Sequence, residues 1–169
     1  MAKGNRIVVT PCPRGRFEEI IVVGTPKPGT CMYPTAAALV GGNTRSMEPA
    51  GTTGALGMGA DGDQIPVAVL VYGIDHAACP PGRAATEAYV TGERGAVYYP
   101  VDGEELNVLF GNASGTADDV AVGDKLMIDD GTGKAINTTG SPESEPFVAR
   151  EAIVDPTADQ LLYVVYAGT

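Results

Sequence analysis

The chain has 169 residues, of which 44% are hydrophobic and 19% charged, with 23 glycines and 13 prolines. That length supports an apolar core without metal or disulfide staples, and that composition excludes a chain disordered throughout. The formal net charge of −10 argues against wrapping nucleic acid, which needs a broad basic surface.

The charge is uneven along the chain. Residues 1–17 hold Lys3, Arg6, Arg14 and Arg16 and no acid. The rest holds the other seven basic residues and all 21 acids, a balance of −14. A basic arm on an acidic body either docks on an acidic partner, a second copy included, or stays a solvated tail. The opening "MAKGNRIVVT" lacks the apolar stretch of a signal peptide.

Short runs rich in Val, Ile and Tyr, bounded by Gly, Pro, Asp and Asn, read as strands. In chain order they cover 6–10, 18–23, 30–33, 67–72, 88–91, 96–99, 106–110, 125–128, 134–136, 147–153 and 161–167. "VTGERGAVYY" at 90–99 reads as a hairpin around Gly92 and Gly95. Helical signal is weak: two turns at 33–40 and one at 156–162 are conceivable, without a sustained apolar stripe. Residues 41–63 hold seven glycines and read as a long loop, and 137–146 as a shorter polar one. No internal repeat of fixed period is visible. The longest apolar run, "LLYVVYA" at 161–167, is too short to span a bilayer. The expected fold is all-β: a small β-barrel or β-sandwich with long loops and an extended N-terminal arm. The arm is expected over 1–17, with a single β-rich domain over 18–169.

Several motifs invite a chemical reading. "GDKLMIDDGTGKAIN" at 123–137 contains Gly133 and Lys134, as in a phosphate loop, but Ala135 follows where G-x-x-x-x-G-K-S/T needs a hydroxyl. Asp129 and Asp130 are adjacent, which breaks the alternation of a calcium loop. A hairpin fits better, because Leu126 and Ile128 alternate with Lys125 and Met127 before "DDGTG". "GMGADG" at 57–62 matches G-x-G-x-x-G, yet lies between a loop and a strand, where no dinucleotide site forms.

His76, the one histidine, and Cys79 form H-x-x-C, with Cys12 and Cys31 elsewhere. A zinc site from these four is conceivable, but their spacing fits free thiols better, and an odd count is no disulfide framework. A reduced, cytoplasmic site of synthesis follows. Any nucleophilic triad would have to use His76, and no G-x-S-x-G elbow is present. The acid groups Asp61/Asp63, Asp102/Glu104/Glu105, Asp118/Asp119 and Asp129/Asp130 read as solvated turns. No catalytic, cofactor-binding or metal residue is assigned.

"VAVGDKLMIDDGTGKAI" (120–136), followed by "PFVAREAIVDPTADQLLYVVYA" (146–167), resembles the capsid decoration, or cement, proteins of tailed bacteriophages. "PVAVLVYG" (66–73) sits where such proteins place an earlier core strand. The resemblance implies a structural virion protein on the capsid exterior, without enzyme activity or cofactor, that bridges neighbouring major capsid subunits as a homotrimer. Nucleic acid and membrane are not among the implied partners. On that reading Lys3, Arg6, Arg14 and Arg16 are the expected docking residues. Two alternatives stand beside it: another virion part such as a tail or head-fibre module, and a β-barrel enzyme or ligand-binding domain using His76.

Overall fold

Valine, isoleucine and tyrosine favour the pleated backbone, and their runs here build ten short strands among the described residues. The computed structural model describes residues 7–9, 13–34, 44–49, 67–71, 87–111, 119–129, 131–137, 145–154 and 158–168. No helix occurs among the described residues. The all-β expectation holds, in the barrel form.

The strands close into two five-stranded barrels. The N-terminal barrel comprises β1 (Arg16–Val22), β2 (Cys31–Pro34), β3 (Arg45–Pro49), β4 (Ala68–Val71) and β5 (Arg94–Tyr99), in the ring order β1-β3-β2-β4-β5. The C-terminal barrel comprises β6 (Glu105–Phe110), β7 (Lys125–Ile128), β8 (Ala135–Ile136), β9 (Phe147–Ala149) and β10 (Gln160–Tyr166), in the ring order β6-β8-β7-β9-β10. Counted within each barrel, the two rings are the same: first, third, second, fourth, fifth. In both, the first and third strands pair in parallel. Every other neighbouring pair is antiparallel. The topology is therefore duplicated, although no repeat is visible in the residues. Closure also leaves neither sheet with a free edge to template aggregation.

Alternation along each strand explains how the barrels meet. Ile20, Val22, Met32, Met47, Ala68, Leu70 and Val97 fill the N-terminal barrel. The opposite faces of β2, β4 and β5 carry Cys31, Val69, Val71 and Tyr98, which join one apolar cluster with Leu106, Val108, Phe110, Leu126, Phe147, Leu162 and Val164 of the C-terminal barrel. β4 is thus buried on both faces, so its sequence "AVLV" does not alternate. At the seam, Leu109 N–H donates to Gly29 O at 2.9 Å and Cys31 N–H to Gly133 O at 2.8 Å. Gly29 has φ +90°, and a Cβ there would lie 2.7 Å from Leu109 N and 2.8 Å from the Leu161 side chain. Only glycine serves both demands.

Four local expectations change. Residues 45–49, read as part of the long loop, form β3, because backbone ladders from β1 and β2 hold a segment with little apolar signal of its own. Residues 50–63 lie outside the described residues. Residues 88–91 are not a strand: Tyr89 turns into the N-terminal barrel's core and its hydroxyl donates to Val71 O at 3.2 Å, while Thr91 pairs with Gly24. The 147–153 run stops at Ala149, and the Glu151 carboxylate accepts the Tyr163 N–H at 2.8 Å in place of a strand carbonyl. Residues 33–34 and 160–162 belong to β2 and β10, not helical turns. Near the N-terminus, Ile7 is buried and Val8 bridges Leu106 of β6, while Arg16 and Phe17 already belong to β1.

Candidate functional site

The 123–137 stretch builds wall, not a ligand loop. Met127 pairs with Ile136 and Ile128 with Ala135 across β7 and β8. Gly131 and Gly133 take φ of 115° and 65°, as a short loop demands. Thr132 donates to the Asp129 carboxylate, and Lys134 Nζ lies 2.8 Å from Asp159, which also meets Lys27 at 3.9 Å across the barrel seam. The lysine that suggested a phosphate loop is occupied as a partly exposed ion pair. Burial pushes the Cys31 thiol well above its ordinary range, so it is a core residue without nucleophilic character. Cys12, Asp61, Asp63, His76, Cys79, Asp118, Asp130 and the 57–62 glycine motif lie outside the described residues. Among the described residues, no group of three His, Cys, Asp or Glu side chains converges to hold a metal ion.

The four basic residues expected to dock fall into two pairs. Lys3 and Arg6 lie outside the described residues. Arg14 and Arg16 stand where β1 begins, against the turn that links β5 to β6 and so joins the two barrels. Arg14 Nη2 donates to Asp102 O at 3.0 Å. Arg16 lies over the Tyr99 ring at 4.6 Å and meets Glu18 at 3.2 Å, with its side chain 68% exposed. Arg45 approaches the same Glu18 at 3.9 Å. Exposed Phe17 packs its ring on Tyr98, centroids 4.6 Å apart. Local acids thus offset much of the positive charge here.

Beneath this surface is a residue that sequence reasoning placed in a solvated turn. Glu104 is 1% exposed, and it is the one buried carboxylate among the described residues. Its Oε2 accepts from Tyr98 Oη at 2.6 Å and Val101 N at 2.9 Å. Its Oε1 accepts from Arg14 N and, at 3.3 Å, from Gly15 N. Gly15 N also donates to Tyr98 Oη at 2.8 Å. Burial alone would raise the Glu104 pKa, but the Tyr98 hydroxyl and three backbone N–H groups outweigh it and hold the group below the usual value. Burial, then the bond to Glu104, pushes Tyr98 up to about 12. A Cβ at Gly15 would fall 2.1 Å from Tyr99 O, so the close approach requires glycine. A signal existed in hindsight: Gly15 and Gly103 flank the junction, but nothing local tells Glu104 from Asp102 or Glu105.

No family model matches the chain. No curated protein matches it either. Among solved structures it is similar to the head fiber gp8.5 N base in bacteriophage phi29, with TM-score 0.51 and 13% sequence identity, covering 90% of this chain and 94% of that chain. At that identity the likeness is one of fold, and it extends over nearly the whole of both chains.

Proposed function

We propose that the chain is a structural component of a phage head, of the head-fibre base kind, with no enzymatic role. What carries this reading is the architecture shared with the phi29 head fiber base across 90% of the chain. The virion-module alternative therefore ranks above the cement reading. The motif that resembles cement proteins consists of the β7–β8 hairpin, β9 and β10, residues already accounted for as the C-terminal barrel's walls. The partner is a capsid surface, and location in the virion head follows from it. Residues 1–17, with Lys3, Arg6, Arg14 and Arg16, remain the proposed contact, and Arg14 and Arg16 are both exposed.

The test is co-sedimentation of the purified chain with heads, lacking it, of a phage that carries its gene. Saturable binding is expected. Absence of binding would overturn the head reading. Images of the decorated heads that show the chain seated as a trimer across the joints between neighbouring capsid subunits would restore the narrower proposal. Loss of binding on deleting residues 1–17 would place the contact there.

A further inference from the structure

A carboxylate taken out of water is costly unless something compensates its charge. Among the described residues, Glu104 has no cation in hydrogen-bond contact, because the Arg14 guanidinium donates to Asp102 O instead. Four neutral donors do the work, from three places in the chain. Arg14 N and Gly15 N belong to the segment before β1, Tyr98 Oη to β5, and Val101 N to the linking turn. The Glu104 backbone meanwhile belongs to the C-terminal barrel, where its carbonyl accepts from Tyr166 N at 2.8 Å. One side chain therefore ties the start of β1 to the link between barrels.

Protonation would undo this arrangement chemically. A neutral carboxyl turns one oxygen into an O–H donor, and a backbone N–H cannot accept from it. The bonds that remain lose the strength a charged acceptor confers. We propose that Glu104 is an acid-sensitive latch: charged, it holds residues 13–15 against the β5–β6 turn; protonated, it releases that segment while both barrels stay folded.

The surrounding groups fit a local event. Arg14, from the segment itself, donates its guanidinium to Asp102 O rather than to the Glu104 carboxylate. Tyr98 on β5 stays neutral in acid, pushed up by burial and its bond to Glu104, and Tyr166 on β10 meets Glu104 through its backbone N–H. Asp102, on the same turn, offers its backbone oxygen to Arg14, so its side chain's protonation leaves that bond in place. Glu105, the neighbour on β6, is half-buried, and the Glu104 carboxylate's bonds do not involve it. The seam is held by apolar packing and backbone bonds that acid does not touch. The Asp159 pairs with Lys27 and Lys134 lie at the seam and involve none of residues 13–15. Since Glu104 is held below the usual value in the folded chain, the latch acts fully above the ordinary carboxylate range and fails as pH falls through the lowered value.

Amide proton–nitrogen correlation spectra of the full chain, recorded from neutral into strongly acid solution, test this. The Gly15 and Val101 amides should move toward unstructured positions in one acid transition while Val97 and Val164 in the barrel walls hold theirs. Glu104→Gln has no acid to titrate and should lose the transition. Tyr98→Phe removes one donor to the charged form, so its midpoint should rise by about one pH unit; this variant serves if the glutamine variant fails to fold. The proposal is overturned if Gly15 and Val101 hold their positions until the whole spectrum collapses. It is equally overturned if Glu104→Gln keeps the transition, or if Tyr98→Phe leaves the midpoint in place.

Discussion

In the N-terminal barrel, Tyr98, Val69 and Cys31 are paired neighbours across β5, β4 and β2. The corresponding row of the C-terminal barrel is Val165, Val148 and Lys125 across β10, β9 and β7. Both rows point away from their own barrel's interior, and both sit at the same place in the same ring. The first is 0%, 0% and 1% exposed, because the other barrel covers it. In the second, Val165 and Val148 are half-buried and Lys125 is exposed and meets Glu145 at 3.2 Å. One topology thus carries an inner face and an outer face, and the residue on the second strand, cysteine or lysine, marks which is which. Stacked repeats show the same logic, in which terminal units turn a polar face to water.

The sharpest way to break this comparison is to exchange the marking residues. Cys31→Lys puts an unpaired charge into the shared core and should cost several kcal/mol, enough to prevent folding or lower Tm by tens of degrees. The reciprocal Lys125→Cys should change stability by less than about 0.5 kcal/mol. Equal effects in thermal denaturation would mean that the two rows do not differ as described. Gly29→Ala comes next, since a Cβ would press into Leu109 and Leu161 at a φ that disfavours alanine; a loss of about 1–3 kcal/mol is expected by denaturant titration. Gly15→Ala should disturb the other junction by a similar mechanism, and chemical shifts confined to Val101, Tyr98 and Glu104 would separate it from the seam. Tyr98→Phe at neutral pH removes one donor from a charged acceptor and should cost about 1.5–3 kcal/mol, shrinking as the solution is acidified. Lys134→Ala breaks a partly exposed pair at the seam and should cost under about 1 kcal/mol, falling with added salt.

Legibility from the residues varied with the range of the interactions. The β7–β8 hairpin was readable because its signals, Leu126, Ile128, Gly131 and Gly133, lie within a few residues of one another. β3 was not, since "RSMEP" becomes a strand only through partners that lie elsewhere in the chain. Tyr89 carries the β-propensity of a strand residue, yet its ring serves as a plug for the barrel. The duplication was hidden because a ring order is made of non-local pairings, and residues as different as Tyr98 and Val165 occupy corresponding positions. Of the expected docking residues, Arg14 and Arg16 come to one junction, and the carboxylate that organises it looked like its exposed neighbours.

Local chemistry placed the strands and turns: β-branched and aromatic residues favour the extended chain, and glycine accepts the positive φ at which it reverses. Alternation further implied that each strand would have an inner and an outer side. Those preferences act within a few residues, so they say nothing of which strands become neighbours or which outer sides meet. Ring closure, the shared core between barrels and the burial of Glu104 all arise from segments distant in sequence. The Glu104 carboxylate receives hydrogen bonds from a segment about 90 residues away, and its place was decided when that segment packed against the link between the barrels.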